Sequence, residues 1–291
     1  MIGAVTYELT AESSGTLEGF AGRLLHAAFF KHLAGYSKEM SEEIHDQEIS
    51  KPFAISPLIR PHGTTNDGTS SMVIEKYTVR IATGDRYFWR VSALRDDVLD
   101  AALSLRTGGT IQLGHISFAV TNVFVDGHHS SGIIDPEELI AQTLSVPLPA
   151  EISLHFLSPV SFRRDGLDYP LPAPELVFSS IADKWQQAGL PAAISKDGVR
   201  EITMHVAPSD WKGRTVRTYF NRNRGTSGFI GHATYNLRAI EEQPRRILLL
   251  LAQFATFSGV GRLSAQGFGQ ARTTIGYERP ATKRPLARHR K

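Results

Sequence analysis

Gly259-Val260-Gly261-Arg262-Leu263-Ser264-Ala265-Gln266-Gly267-Phe268-Gly269 is the stretch from which the rest of the chain is read. Glycines in two close pairs let the backbone take positive φ and approach a ligand without Cβ interference, so that several N–H groups can converge on an anion. Arg262 adds a positive charge. The stretch follows an apolar, helix-like run at 247–257 and leads into a strand-like run at 271–277. A dinucleotide-binding loop has the reverse order, leaving a strand and opening a helix. A Walker loop needs Lys and then Ser or Thr after its last glycine, where this chain has Gln270 and Ala271. The expectation is a phosphate-cradling loop. A Gly-rich helix C-cap and turn is the alternative that the same composition allows.

Outward from the loop, the chain divides into two halves with the same order of elements. In the first, 2–10 alternates as a strand, and 17–33 carries Phe20, Leu24, Leu25, Ala28 and Phe29 at helical spacing. Extended candidates follow at 52–59, 76–83 and 87–91, then a helix at 96–105 and a strand at 110–125. The second half reads as a strand at 151–162, a helix at 175–187, strands near 202–206, 216–220 and 228–237, a helix at 244–257 and a final strand at 270–277. With one extended candidate to spare between the helices of each half, both are read as β-α-β-β-α-β, the pattern of a ferredoxin-like unit. The expected class is α+β, with domains at 1–140 and 150–277, a turn-rich linker at 135–149 and a basic tail at 278–291.

Composition sets independent bounds. With 291 residues and 41% hydrophobic content, the chain can bury the cores of two ordinary domains. Zero cysteines exclude a disulfide framework and a thiolate zinc site, and fit a reducing cytoplasm. No apolar run approaches the roughly 20 residues that span a bilayer, and the N-terminus lacks a basic region followed by an apolar signal core. A soluble, cytoplasmic protein without membrane contact is expected. The net charge of +3 hides an asymmetry, since Arg279, Lys283, Arg284, Arg288, Arg290 and Lys291 crowd the tail against Glu278. Such a tail attracts phosphates or simply aids solubility. A more specific cluster is Lys212, Arg214, Arg217, Arg222 and Arg224, interleaved with Trp211, Tyr219 and Phe220. Arginine forks beside aromatic faces suit phosphates and unstacked RNA bases, and they also suit an ordinary solvated hairpin.

The segment Phe229-Ile230-Gly231-His232-Ala233-Thr234-Tyr235, a helix, Phe257-Ser258-Gly259-Val260-Gly261 and then Gln266-Gly267-Phe268-Gly269-Gln270 resembles the C-terminal half of a known family. That family is the CRISPR-associated endoribonucleases of the RAMP superfamily, which cut precursor CRISPR RNA within its repeats. The resemblance extends through Leu154-His155-Phe156-Leu157-Ser158-Pro159-Val160-Ser161-Phe162-Arg163, Pro174-Glu175-Leu176-Val177-Phe178 with Trp185, and His45 followed by Lys51-Pro52-Phe53-Ala54-Ile55-Ser56-Pro57-Leu58. It implies tandem ferredoxin-like (RRM-like) domains with the Gly-rich loop in the C-terminal one. It also implies an endoribonuclease that needs no metal or other cofactor, acts on CRISPR repeat RNA, and has a CRISPR effector complex as a further partner.

Metal-free RNA cleavage needs a base for the 2′-OH proton, an acid for the departing 5′-oxygen, and positive charge near the phosphorane-like transition state. Imidazole, with an unperturbed pKa of ~6.5, serves as either, and lysine or arginine supplies the charge. The resemblance implies a histidine in the helical region after the first strand, with a second proton-transfer group nearby. His45 takes first place among the candidates, with Lys51 as phosphate stabiliser and His26 as second proton-transfer group or positioner. His26 is the rival, since other branches of the family place the histidine on the first helix. His26 could equally be a helix-face residue satisfied by a carbonyl, His45 a surface or capping residue, and Lys51 a solvated one. His32 and the His128-His129 pair read as structural or surface residues, and no metal cluster emerges. The expected RNA contacts are Gly259, Gly261, Arg262, Gly267, Phe268, Gly269, Arg214, Arg217, Arg222 and Arg224. Two other functions fit the same residues: a noncatalytic RAMP subunit that binds CRISPR RNA in an effector complex, and a small-anion enzyme using the loop.

Overall fold

The computed structural model describes residues 1–18, 20–47, 50–61, 72–74, 78–221 and 224–277. The first half runs β1 (Ile2–Ala11), β2 (Gly15–Glu18), α1 (Gly22–Tyr36), α2 (Lys38–Asp46), β3 (Phe53–Ile55), β4 (Thr78–Ile81), β5 (Arg86–Ala93), α3 (Asp96–Ser104), β6 (Thr110–Leu113), β7 (Ile116–Phe124) and β8 (Gly132–Ile134). Its main sheet has the order β3-β5-β1-β7-β6, with β8 pairing to β1. The second half runs α4 (Pro136–Ser145), β9 (Pro149–Val160), β10 (Phe162–Arg164), β11 (Leu167–Tyr169), α5 (Pro174–Gln187), α6 (Lys196–Thr203), β12 (Ala207–Asn221), β13 (Arg224–Asn236), α7 (Glu242–Ser258) and β14 (Ala271–Tyr277). Its sheet has the order β12-β13-β9-β14. In both halves the first strand lies between the third and the fourth of the β-α-β-β-α-β path. That is the ferredoxin-like arrangement, present twice.

Helix α7 explains how the halves meet. Its run Leu248, Leu249, Leu250, Leu251 and Ala252 is buried all round, a pattern that requires neighbours on more than one side. It contacts β9 and β14 of its own sheet and also β1, β3 and β5 of the other. Strand β1 is correspondingly buried along nearly its whole length, with little of the in-out alternation of a half-exposed strand. Ala265 of the Gly-rich loop joins the core of the first half, and Ile2 and Leu94 join the core of the second.

Four expectations need correction. The segment between the expected helix at 17–33 and the strand at 52–59, to which the sequence pattern assigns no element, forms α2, capped by the Ser37 side chain, which accepts from the Met40 amide at 3.2 Å. The turn-rich linker is helix α4, begun by Asp135 accepting from the Glu137 amide and followed by Pro136 at the first helical position. The strand near 202–206 is the last residues of α6 and the turn after it, where Ile202, Met204 and Val206 mimic a strand alternation. The strand 110–125 is a hairpin, because Gly114 takes φ +62° and turns the chain between β6 and β7. The tail at 278–291 lies outside the described residues. No helix among the described residues is long and apolar enough to cross a membrane.

Candidate active site

The Gly-rich loop begins where α7 stops. Gly259 ends the helix at φ +64°, its amide still bonded to the Ala255 carbonyl. Gly261, Gly267 and Gly269 also have positive φ, and so does Leu263. The loop amides are largely spent on the protein itself. Val260 donates to the Gly269 carbonyl, Gly269 to Pro159, Arg262 to Ser161, Phe268 to Leu263, and Gly261 to the Ser180 hydroxyl. The expected cradle of converging free amides is therefore replaced by a self-satisfied turn, closer to the cap-and-turn alternative. Buried amides must find partners, and here the partners lie on the β9–β10 corner and α5.

What the loop offers outward is a carbonyl. Ala265, in a single 3-10 turn at Ser264–Gln266, accepts from Nδ1 of His26 at 2.7 Å. The contact is enforced by close packing: a Cβ on Gly22 would stand 1.9 Å from the Gln266 carbonyl oxygen, so only glycine lets α1 approach the loop this closely. Phe20 adds two ties. Its amide donates to the Tyr219 carbonyl on β12, and its ring meets Phe268 edge to face at 5.2 Å. The first helix, the Gly-rich loop and the far end of the β12–β13 hairpin thus meet at one place.

Two imidazoles flank Phe30 at this junction, His26 at 4.8 Å and His45 at 6.0 Å between ring centroids. His26 is half-buried against Phe53 as well, while His45 is exposed at the end of α2 with Nδ1 3.2 Å from the Asp46 carboxylate. Burial holds the His26 pKa below the ordinary histidine value. The bond to Ala265 opposes that shift, and the charges of Lys51, Arg23 and His45 add to it. Because a carbonyl can only accept, Nδ1 of His26 carries the proton and Nε2 is left with its lone pair.

Lys51 is placed differently from its expected role. Its ammonium donates to the carbonyls of Ile44, His45 and Gln47 at 2.6, 2.9 and 2.8 Å, which closes the C-terminus of α2 and uses its donors. It is a helix cap that fixes His45, and its charge reaches the site through space. Arg262 is paired with Asp168. Arg214 and Arg217 are exposed on β12, but an odd separation along a strand puts them on opposite faces. Arg217 lies 5.7 Å over the Tyr219 ring. Arg222 and the side chain of Arg224 lie outside the described residues. His32 bonds the Ala101 carbonyl at 2.7 Å and is structural. His129 is in an exposed turn, stacked on Phe88 at 4.1 Å.

The sequence did not single out Arg90, Lys184 or Gln270, which are buried at the roots of the loop. Lys184, on α5, donates to the Ser258 and Gly259 carbonyls at 3.0 Å, and burial pushes its pKa down to about 7. A neutral amine keeps donors for both bonds.

Two family models match the chain: the one described as CRISPR-associated endoribonuclease Cas6 over residues 154–271, and the one described as CRISPR Cas6 N-terminal domain over residues 4–131. A Mycobacterium tuberculosis protein named CRISPR-associated endoribonuclease Cas6 is 29% identical over 133 residues, which are 43% of this chain and 40% of that protein. The chain thus aligns with less than half the length of that curated relative. A solved Cas6 product complex, of a protein also solved as Thermus thermophilus Cas6, is 26% identical with a TM-score of 0.75 and covers 94% of this chain and 100% of that one. A second Cas6 product complex is 28% identical with a TM-score of 0.70, over 94% and 100%.

Proposed function

The chain belongs to the CRISPR-associated endoribonuclease Cas6 family, and from that premise we propose that it binds CRISPR repeat RNA and cuts precursor crRNA within the repeat. One observation carries this reading: His26 and His45 flank one phenylalanine where the first helix, the Gly-rich loop and the hairpin converge. In the proposed reaction Nε2 of His26 takes the proton from a 2′-OH, and the freed oxygen attacks the adjacent phosphorus. The bond to the 5′-oxygen breaks, and His45 gives that oxygen a proton. The upstream product ends in a 2′,3′-cyclic phosphate, and the downstream product in a 5′-OH. Proton transfer of this kind is worth ~10²–10⁴-fold in rate. Lys51 and Arg23 supply positive potential near the reacting phosphate. The cysteine-free composition supports a cytoplasmic setting, and an effector complex is the partner that would receive the product.

The acid limb of the reaction tests the base. A base must be neutral to act, and a lowered pKa keeps His26 neutral to lower pH than a free histidine. The single-turnover rate should therefore fall only below about pH 6.5, the unperturbed histidine value. A midpoint above that would assign the base to another group. The hairpin has its own test. Replacing Arg214 and Arg217 with glutamine should weaken repeat binding and flatten log K against log salt, by roughly 0.7–0.9 for each phosphate that is no longer neutralised. An unchanged slope, measured by titration at several salt concentrations, would remove the hairpin from the RNA surface.

A further inference from the structure

We propose that Arg90 is a clamp that holds both roots of the Gly-rich loop against the first domain, and through the loop fixes the tautomer and position of His26. The proposal rests on His26 being a catalytic residue only for its effect on rate, since the clamp itself is a matter of geometry. Arg90 lies on β5 and is 6% exposed. Its guanidinium meets no carboxylate among the described residues. Instead it donates to the Thr256 carbonyl at 2.8 Å, to Oε1 of Gln270 at 3.2 Å, to the Ser92 hydroxyl at 2.6 Å and to the Ser130 carbonyl at 2.7 Å. Thr256 is in the last turn of α7, just before the loop, and Gln270 comes directly after Gly269. One side chain of the first domain thus grips the second domain on either side of the loop.

Gln270 completes the clamp from the other direction. Its Nε2 donates to the Ile55 carbonyl on β3 at 3.0 Å, and its amide donates to the Ser158 hydroxyl at 2.9 Å. Ser56, next to Ile55, exchanges bonds with the Arg90 backbone at 2.8 and 2.9 Å. Three of these bonds cross between the domains, from Arg90 to Thr256 and to Gln270 and from Gln270 to Ile55, while the bonds to Ser92 and Ser130 hold the guanidinium within its own domain. Burial is costly for an unpaired guanidinium, and it is tolerated here because each nitrogen of the fork donates to an oxygen acceptor. Lysine would keep the charge, but it lacks the planar fork needed to reach both roots at once. With the roots fixed, the Ala265 carbonyl is held 2.7 Å from Nδ1 of His26. That bond keeps the proton on Nδ1 and leaves Nε2 free. Arg90 touches no reacting atom, so it is a positioning residue.

The test uses Arg90→Lys and Gln270→Met in the full chain, with ¹⁵N spectra of the imidazoles beside single-turnover cleavage and RNA titration. In the unaltered protein, His26 is expected as the Nδ1-protonated neutral form. In either variant that tautomer should give way to a mixture, and the rate at saturating repeat RNA should fall roughly 10- to 100-fold, as for a small displacement of a reacting group, while Kd stays within about threefold. If Arg90→Lys fails to fold, Gln270→Met decides the matter, since it unties one root and leaves the other bonds of Arg90 in place. A folded variant that keeps the Nδ1-protonated form overturns the clamp. A changed tautomer in a protein that never cuts RNA would uphold the clamp and defeat the catalytic reading instead.

Discussion

Replacing His26 with alanine is expected to lower the single-turnover rate by about 100-fold or more at saturating repeat RNA, with affinity nearly intact, because the ring is assigned to proton transfer. His45→Ala should do the same. The two differ in what else they disturb. His26 packs against Phe30 and Phe53 and bonds the Ala265 carbonyl, so its loss also loosens the loop. The exposed His45 ring meets Asp46 and the edge of Phe30, and the Lys51 bond to its carbonyl survives truncation of the side chain, so its loss should leave stability unchanged. Thermal unfolding beside the kinetics separates these effects. A His45→Ala protein that cuts at the full rate would take the role of acid from His45, and a His26→Ala protein that does so would remove the centre of the proposed site.

The second large effect is expected at Gly269. A Cβ there would sit 1.9 Å from the Val260 carbonyl oxygen, on a residue with φ +66°. Positive φ alone costs a non-glycine residue of order 1–3 kcal/mol, and the collision is with backbone, which cannot rotate away. Gly269→Ala should therefore break the Val260–Gly269 bond, shift the loop and abolish the contact between Ala265 and His26. Cleavage should vanish even at saturating RNA, because the defect is in the placement of the base. Recovery of the full rate by raising RNA concentration would mean that the glycine serves binding alone.

The tandem architecture was legible because its strongest signals are local. The run 247–257 is too apolar for a one-sided helix, and the glycines after it mark the stop. The β1 strand, the α5 segment and the β13 strand also read correctly as elements, although β1 is buried on both faces. Short elements with few buried residues did not. Helix α2 buries only Met40, Ser41 and Ile44 and depends for its end on Lys51, five residues beyond it in sequence. The tip of α6 and the turn after it alternate like a strand, and the helix is fixed by burial of Val199 and Thr203 on its inner face. The candidate site was legible in its parts, as His26, His45 and the loop, because those residue types suit the chemistry. The use of the loop amides was hidden, since their acceptors on Pro159, Ser161 and Ser180 come from remote segments. Arg90 gave no sign at all, because an arginine in a strand reads as surface until its carbonyl partners are known.

The central claim is that the His26–His45 junction cuts repeat RNA by internal attack of a 2′-oxygen. Its most direct measurement is a single-turnover reaction in EDTA with two repeat RNAs, one unmodified and one carrying a single 2′-deoxy nucleotide upstream of the cut. The account predicts one cut in the unmodified RNA, a 2′,3′-cyclic phosphate on the upstream product, and an intact deoxy substrate bound with similar affinity. Cutting of the deoxy substrate, or binding of both RNAs with neither cut, would contradict it; the latter would leave a noncatalytic RNA-binding protein on the same fold.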